Sequence, residues 1–303
     1  MLLSNVSGDR KLINLISYPI FFCPYIYKKN IKMGNIDIFI TAFKDFKEYV
    51  TDKRYKIVCV KDYNYNGKLE WYKDNVGDNI SDMNWFFNEL TTFYWVWKNY
   101  EMKDYVGMCS YRRYFDFFDD IDSIENKLKE YDIILPCQTE LKPFINNKDH
   151  YDKCHNLDDL ILLCNIINTK YPSYKDSIDF MLNHDKIYAN NMFIMKRDDF
   201  VKYCEFVFEI FDEFLNIRGF KTYEDICKYI KNNSEKYIKN KGYTPKIEYQ
   251  SRLGGFLAER LFTVYVHHNF KKIYEHKMFF SEDKKIEIRF ENFVIKNGEK
   301  IKI

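Results

Sequence analysis

The chain has 303 residues, enough to bury a full core in one large α/β domain or two smaller ones. Its 47 basic and 45 acidic side chains leave a net charge of +2, which excludes the broad positive field that attracts nucleic acid. The eight cysteines have neither zinc-site nor disulfide spacing, so we interpret them as reduced core thiols of a cytoplasmic protein.

Residues 1–32 are predicted to be an N-terminal extension, followed by a single domain over residues 33–303. The apolar stretch from Leu12 to Tyr27 is too short for a spanning helix, and Pro19 and Pro24 break it. Two alternatives stay open for this segment. Its aromatics and lysines suit peripheral contact with the inner face of the cell membrane, or the natural start is Met33.

Short apolar runs predict strands, and apolar residues at helical spacing predict helices. The predicted strands are Ile36–Thr41, Tyr55–Val60, Tyr105–Cys109, Asp132–Leu135 and Ala189–Met195. The predicted helices run from Ser81 to about Tyr100, Leu157 to Thr169, Asp198 to Asn216 and Arg252 to His267. Asn297 and Gly298 between alternating runs predict a terminal β-hairpin. The alternation of strands and helices predicts an α/β fold whose sheet is mostly parallel and flanked by helices.

Common catalytic signatures are absent from the sequence. The phosphate loop GxxxxGK[ST], the GxSxG elbow, HExxH and GxGxxG do not occur. Their absence excludes the commonest P-loop, hydrolase, metalloprotease and dehydrogenase types.

The first candidate site is the segment Gly107–Phe115, in which a predicted strand ends in Tyr111, Arg112 and Arg113. Ligands of open α/β sheets bind beyond the carboxyl ends of strands, and arginine binds a diphosphate bidentately. An alternative of equal weight is that both arginines form surface ion pairs. Their partners would then be the acidic residues Asp116, Asp119, Asp120 and Asp122.

A second candidate is the turn at Asp78 and Asn79, which suits either a ligand hydroxyl or the start of a helix. Glu89 lies in the aromatic helix that follows, and we interpret it as a partly buried carboxylate with a supporting role. Asn190 and Asn191 precede a predicted strand, and their amides are candidates for contact with a sugar.

The third candidate is the segment from Arg252 to Arg260. Its paired glycines would let the backbone approach a ligand, and Glu259 is placed to act as a base. The alternative for Glu259 is an exposed ion pair on a helix.

A metal site is not assigned from the sequence. Asp120 and Asp122 spell the DxD pattern that binds Mn²⁺ or Mg²⁺ in many sugar transferases, but their acidic surroundings favour a solvated helix start. His150, His155 and His184 lack ligand spacing. Use of Mn²⁺ or Mg²⁺ stays open.

Several segments together resemble one family of bacterial capsular-polysaccharide and lipopolysaccharide glycosyltransferases. This family was first catalogued as a domain of unknown function, and some members are galactofuranosyltransferase-like. The matching segments are GDNIS (77–81), NELTTFYWVWKN (88–99), GMCSYRRYF (107–115), DIILP (132–136), NMFIM (191–195) and RLGGFLAERL (252–261). They cover roughly residues 36–276, and the second and third are the most specific.

The resemblance implies a GT-A-like, Rossmann-like fold with C-terminal helices. It implies an enzyme that transfers a sugar from a nucleotide-diphospho-sugar, such as UDP-galactofuranose or another UDP-hexose, to an oligosaccharide or lipid-linked acceptor of a surface polysaccharide. The family usually has histidine before YRRYF, where this chain has Ser110. A non-catalytic carbohydrate-binding or assembly protein on the same fold is therefore the alternative function.

On this hypothesis each candidate residue has a role. Arg112 and Arg113, with Tyr111, face the donor diphosphate, because stabilising the leaving group is the main electrostatic task of sugar transfer. Glu259, or as second choice Asp116, deprotonates the acceptor hydroxyl. The remaining candidates are Asp78 and Asn79 on the donor, and Asn191 and Arg252 on the acceptor.

Overall fold

The structure is a computed structural model that describes residues 35–237 and 246–282 and the backbone of three later strands. Its strands are β1 Ile36–Ala42, β2 Tyr55–Cys59, β3 Glu70–Lys73, β4 Tyr105–Ser110, β5 Arg113–Phe115, β6 Ile133–Pro136, β7 Thr139–Glu140, β8 Lys186–Ile187, β9 Phe193–Lys196, β10 Ile273–His276, β11 Met278–Glu282, β12 Lys285–Arg289, β13 Phe293–Lys296 and β14 Glu299–Lys302. Its helices are α1 Asn84–Phe87, α2 Leu90–Asn99, α3 Ile121–Lys127, α4 Asn147–Cys154, α5 Leu157–Lys170, α6 Lys175–Asn183, α7 Arg197–Arg218, α8 Tyr223–Asn232, α9 Ile247–Gln250 and α10 Leu253–Asn269.

The central sheet has the strand order β3-β2-β1-β4-β9-β6-β10. The pairs β3–β2, β2–β1, β1–β4 and β6–β10 are parallel, and β9 runs antiparallel to both of its neighbours. All residues of β1 and β2 are buried, as expected for strands covered by helices on both faces. The predicted α/β class with a mostly parallel central sheet is confirmed.

The strand order reverses between β1 and β4. The chain leaves β1 for β2 on one side, whereas β4 pairs with β1 on the other side. The register places Thr41 at the end of β1 beside Ser110 at the end of β4. In open α/β sheets, such a reversal opens a crevice beyond the carboxyl ends of the two strands.

An antiparallel extension begins where β4 turns back. Ser110 pairs with Arg113, so β5 returns beside β4, and β11 to β14 continue the sheet in antiparallel order. The predicted terminal hairpin is confirmed by the pairing of β13 with β14, in which Lys296 lies opposite Glu299. Its turn, at residues 297–298, lies outside the described residues.

The helix predicted from Ser81 to Tyr100 is wrong in one respect, because it is broken at Asn88. A 3₁₀ turn at Ser81–Met83 leads into α1, and α2 starts at Leu90. Asn88 has φ 51° and ψ −122°, a conformation no helix accommodates. The aromatic face is buried on both sides of this break, through Phe86, Leu90 and Phe93.

Other boundaries differ by a few residues. Helix α7 begins at Arg197 and ends at Arg218, and it is capped by Gly219, whose φ of 69° is typical of the left-handed residue after a helix. The strand predicted from Ala189 starts only at Phe193, because Asn190 and Asn191 have φ of 72° and 48°.

Among the described residues, no helix is long and apolar enough to cross a membrane. The seven cysteines in that part of the chain are free thiols. The predicted N-terminal extension lies outside the described residues, and the single domain over residues 33–303 stays a prediction.

Candidate functional site

A cavity of about 800 Å³ lies beyond the carboxyl ends of β1, β2 and β4, where the strand order reverses. Thr41, Phe43 and Lys44 line it after β1, and residues 60–63 after β2. The β4–β5 turn contributes residues 109–113. Opposite these strand ends, the lining comes from the α1–α2 break, the Asn190–Asn191 pair and the start of α10. The site is therefore assembled from segments more than 200 residues apart.

Strained backbone is concentrated at this cavity. Lys61, Asn88, Asn190 and Asn191 line it, and all four have positive φ without being glycine. In the described part of the chain, the one other such residue is Phe118. Each positive φ costs of order 1–3 kcal/mol and persists where the surrounding structure imposes it, often at a functional site.

Arg113 is a cation of the cavity whose guanidinium makes no hydrogen bond or ion pair with any described residue. It is the first residue of β5 and is half-buried. The Phe280 ring centroid lies 5.1 Å from its guanidinium carbon. Burial, and secondly the charge of Arg112, lower the pKa of Arg113 to about 10, so it remains a cation at neutral pH. An unpaired, partly desolvated guanidinium is a ready site for an anionic ligand.

Arg112, in contrast, is held by Glu282 at the end of β11. Glu282 also accepts hydrogen bonds from Lys44 Nζ (3.0 Å) and the Tyr111 hydroxyl (3.1 Å). Burial alone would raise the pKa of Glu282, but Lys44 and Arg112 outweigh it and lower this pKa to about 2. Glu282 is thus an ionised carboxylate that holds two cavity cations in place.

The alternative of ion pairs between these arginines and the acidic residues after β5 is wrong. Asp119 instead accepts hydrogen bonds from the backbone and hydroxyl of Thr51. Asp122 forms an ion pair with Arg54 at 2.7 Å. Asp119 and Asp122 therefore connect the start of α3 to the loop before β2.

Four carboxylates line the cavity, and two of them, Glu259 and Glu89, lie opposite the strand ends. Glu259 Oε1 accepts a hydrogen bond from the Asn190 backbone N–H (2.8 Å), and its Oε2 from Arg260 Nη1 (3.1 Å). Arg260 is buried and hydrogen-bonds His150 Nδ1 at 2.8 Å. Glu259 is therefore held in one orientation by one charged and one polar donor.

Glu89 accepts a hydrogen bond from Asn191 Nδ2 at 2.7 Å, and burial raises its pKa. The interpretation of Glu89 as a buried, paired carboxylate holds, but its partner is an amide, and its place in the cavity was missed. The available signal was the polar pair Asn88-Glu89 inside an aromatic helix, which marks the break that turns both toward the cavity.

Three buried polar atoms at the cavity have no hydrogen-bond partner among the described residues. They are Thr41 Oγ1, Ser110 Oγ and Asn191 Oδ1. Buried polar atoms are nearly always paired, so such atoms are expected to meet a ligand or water. Thr41 and Ser110 are register neighbours at the ends of β1 and β4, beside Arg113.

Some predicted residues do not line the cavity. Asp78 and Asn79 form a turn that α2 holds, since Asn99 Oδ1 accepts from the Asp78 N–H and the Tyr94 hydroxyl donates to Asp78 Oδ1. Asp116 follows β5, and burial raises its pKa. The roles of these three residues toward donor or acceptor stay predictions.

The two paired glycines of α10 make different contacts. A Cβ on Gly254 would lie 2.6 Å from the Phe86 carbonyl oxygen, so this glycine lets α10 approach α1. Gly255 lines the cavity next to the side chain of Asn88. Arg252 also lines it and donates from Nε to Asn88 Oδ1 at 2.8 Å.

The DxD residues do not fit a metal-binding role at this cavity. Asp120 is the N-cap residue of α3, and Asp122 is engaged by Arg54. Within the described ranges, no group of three or more His, Cys, Asp or Glu side chains could hold a metal ion. The dependence on Mn²⁺ or Mg²⁺ is untested.

The parallel sheet with one antiparallel internal strand, and the cavity at its order reversal, define a GT-A-like α/β fold. Residues 37–232 match the family described as Domain of unknown function (DUF4422), and the chain belongs to that family. The predicted family resemblance is confirmed to this extent.

One solved structure supports the same class. The chain is similar to a structure titled WbbM bifunctional glycosyltransferase, in its apo form, with 26% identity and a TM-score of 0.65. The match covers 82% of this chain and 46% of that one, so this chain corresponds to less than half of that protein. No curated protein matches the chain.

Proposed function

We propose that the protein transfers a sugar from a nucleotide-diphospho-sugar to a saccharide acceptor. The observation that carries the proposal is Arg113, whose guanidinium has no hydrogen-bond or ion-pair partner among the described residues and lies where the strand order reverses. The similarity to a glycosyltransferase supports the same reaction class.

In the proposed donor site, the diphosphate lies against Arg113. Thr41 Oγ1 and Ser110 Oγ are placed to donate hydrogen bonds to its oxygens, which would satisfy two of the unpaired buried atoms. Lys44 and Arg112 add positive charge while Glu282 fixes their positions. Phe43 and Tyr63, after β1 and β2, offer aromatic surface to the nucleobase.

In the proposed reaction, the acceptor hydroxyl oxygen attacks the anomeric carbon of the donor sugar. The bond from that carbon to the phosphate oxygen breaks, and the nucleoside diphosphate leaves with its electron pair. Arg113 stabilises the negative charge that develops on this leaving group. The hydroxyl proton passes to Glu259, which Arg260 and the Asn190 N–H keep oriented.

The finer assignments follow the sequence resemblance. We propose UDP-galactofuranose or another UDP-hexose as donor, and an oligosaccharide or lipid-linked chain of a bacterial surface polysaccharide as acceptor. Asn191 and Arg252, on the Glu259 side of the cavity, would contact the acceptor. Such an enzyme would work in the cytoplasm or at the inner face of the cell membrane.

The test is release of nucleoside diphosphate from a panel of nucleotide sugars, first without acceptor and then with candidate oligosaccharides. We expect slow hydrolysis of one donor, accelerated by an acceptor that appears enlarged by one sugar in mass spectrometry. Binding of a donor with no release in either condition would support the alternative, a carbohydrate-binding protein on this fold.

A further inference from the structure

Two aromatic side chains adjoin the cavity at the start of α10. Phe256 lines the cavity and is half-buried. Tyr249, in α9, is 42% exposed, and its ring centroid lies 5.0 Å from that of Phe256. Together these two rings, which we term the aromatic platform, extend apolar surface from the cavity toward solvent.

The Phe256 ring packs against a buried histidine. The imidazole of His155 stacks on it, with centroids 4.2 Å apart and planes 28° from parallel. His155 is 4% exposed, and its Nδ1 lies 2.9 Å from Gln250 Oε1, while Gln250 Nε2 donates to the Cys154 carbonyl. Because His155 and Gln250 are held by hydrogen bonds, the Phe256 ring that packs on His155 is ordered before a ligand binds. Such preorganisation lowers the entropic cost of binding.

A hexose ring matches this arrangement. One face of a pyranose carries C–H bonds, which are attracted to the negative face of an aromatic ring, and its rim carries hydroxyls. Asn191 Oδ1, buried without a partner among the described residues, can accept a hydrogen bond from one hydroxyl. Arg252 and Glu259 supply further polar groups on the same cavity wall.

The position of Phe256 on α10 indicates that its ring would bind the acceptor sugar and not the donor sugar. Phe256 and Glu259 are three residues apart, so their side chains are neighbours on one helix face. A ring stacked on Phe256 would present its hydroxyls to Glu259, the proposed base. Phe43 and Tyr63, the aromatics next to the phosphate-binding cations, lie instead after β1 and β2.

We infer that the aromatic platform is the subsite for the terminal hexopyranose ring of the acceptor. The inference rests on the proposed function, because it takes Glu259 as the base and Arg113 as the donor side. It adds a stacking contact, through Phe256 with Tyr249 extending it, that selects acceptors by the C–H face of their ring.

Saturation-transfer NMR tests the inference with methyl β-D-galactopyranoside and methyl β-D-glucopyranoside as probes. In the wild type we expect saturation of the ring protons of at least one probe. Phe256→Ala should weaken binding of that probe at least tenfold, and Phe256→Trp should retain it. Trp71→Ala is the matched control, because Trp71 is 41% exposed on β3 and does not line the cavity. The control should bind as the wild type does.

Several outcomes would overturn the inference. They are the absence of saturation for both probes, binding unchanged in Phe256→Ala, or binding lost equally in Trp71→Ala. Displacement of the probe by excess intact nucleotide sugar would instead make the platform a donor-sugar subsite and overturn its assignment to the acceptor.

Donor hydrolysis without acceptor separates this inference from the proposed function. The wild type should hydrolyse the donor without acceptor, and Trp71→Ala should do so within threefold of the wild-type rate, because Trp71 does not line the cavity. A wild type that hydrolyses no donor and elongates no acceptor contradicts the proposed function, whereas the NMR result decides the subsite by itself.

Discussion

Arg112 and Arg113 are adjacent in the sequence, yet their surroundings differ. Arg112 is held by Glu282, while Arg113 has neither a hydrogen bond nor an ion pair with a described residue. The difference arises because Arg112 lies in the turn before β5, where the end of β11, the neighbour of β5, brings Glu282 to it, whereas Arg113 is the first residue of β5. The sequence predicts both arginines at the donor but not that one of them already has a carboxylate partner.

Arg113→Gln should lower the turnover of sugar transfer at least a hundredfold. Loss of a positioned group at a developing charge costs roughly 3–4 kcal/mol of barrier. Steady-state kinetics with saturating donor would measure the effect. Arg197→Gln is the control, because Arg197 is an exposed arginine paired with Asp198 on α7. Equal turnover in both variants would remove Arg113 from the mechanism.

Glu259→Gln should reduce transfer by a factor of 10² to 10⁴, the usual contribution of a general base, and leave donor binding intact. Asp116→Asn is the comparison, since Asp116 was the second candidate base and does not line the cavity. We expect near-normal transfer in Asp116→Asn. A large loss there, with a small loss in Glu259→Gln, would exchange the two assignments.

At the scale of elements, α10 connects the fold with the site, because it carries Gly254 against α1 and Glu259 into the cavity. A Cβ on Gly254 would meet the Phe86 backbone oxygen at 2.6 Å, which cannot move aside as a side chain can. A Cβ on Gly255 would meet the side-chain amide of Asn88 at 2.7 Å, which is hydrogen-bonded to Arg252 and the Phe86 carbonyl but can shift more easily than backbone. The two neighbouring glycines therefore differ in what an added methyl group displaces.

Gly254→Ala should lower the free energy of unfolding by about 1–3 kcal/mol, as overpacking does. Gly255→Ala should be neutral or stabilising, since alanine gains about 0.5–1 kcal/mol over glycine inside a helix. Urea unfolding of the two variants measures the difference. Equal destabilisation of the two variants would show that the contact between Gly254 and Phe86 does not limit how closely α10 packs against α1.

His155 links α4 to α9 and α10 and should make the fold sensitive to acid. Burial is the main cause that lowers the pKa of His155 to about 3. In the unfolded chain its pKa is about 6.5, so the unfolded state binds more protons between these values. The stability that neutral His155 contributes is therefore present above pH 6.5 and is lost as pH falls toward 3.

From pH 7 to pH 5, this side chain alone should cost about 2 kcal/mol of unfolding free energy. His155→Phe keeps an aromatic ring but cannot titrate, so its free energy of unfolding should fall less steeply below pH 6.5 than that of the wild type. Denaturant unfolding at pH 5, 6 and 7 gives both slopes. Identical slopes would mean that His155 does not take up the proton on unfolding.

Some elements could be predicted from the sequence and others could not. Helix α5 and strand β4 follow local apolar patterns, and they were predicted to within one residue at each end. The apolar spacing does not indicate the break at Asn88, because it continues across it from Phe86 to Phe93, and the polar pair Asn88 and Glu89 is the sequence signal for the break. The late start of β9 likewise follows from the left-handed backbone of Asn190 and Asn191, which local propensity does not specify.

For the whole molecule, the sequence predicts the fold class but not the assembly of the cavity. Alternating strands and helices indicate the α/β fold, and the rule on strand ends places Arg113 near a ligand. Glu282 was missed, and Glu89 was predicted to be partly buried and paired but not to line the cavity, because both positions depend on contacts between distant segments, β11 with β5 and Glu89 with Asn191. Asp78 and Asn79 were expected at the ligand, but they form a turn held by α2.

The central claim, that Arg113 and the ends of β1 and β4 bind a diphosphate, is tested most directly by nucleotide titration. Isothermal calorimetry would compare UDP, GDP, CDP and ADP with their monophosphates on the wild type and on Arg113→Gln. We predict that one diphosphate binds at least tenfold more tightly than its monophosphate, and that Arg113→Gln abolishes this difference. Equal affinity for di- and monophosphate in the wild type, or a difference that persists in Arg113→Gln, would contradict the account.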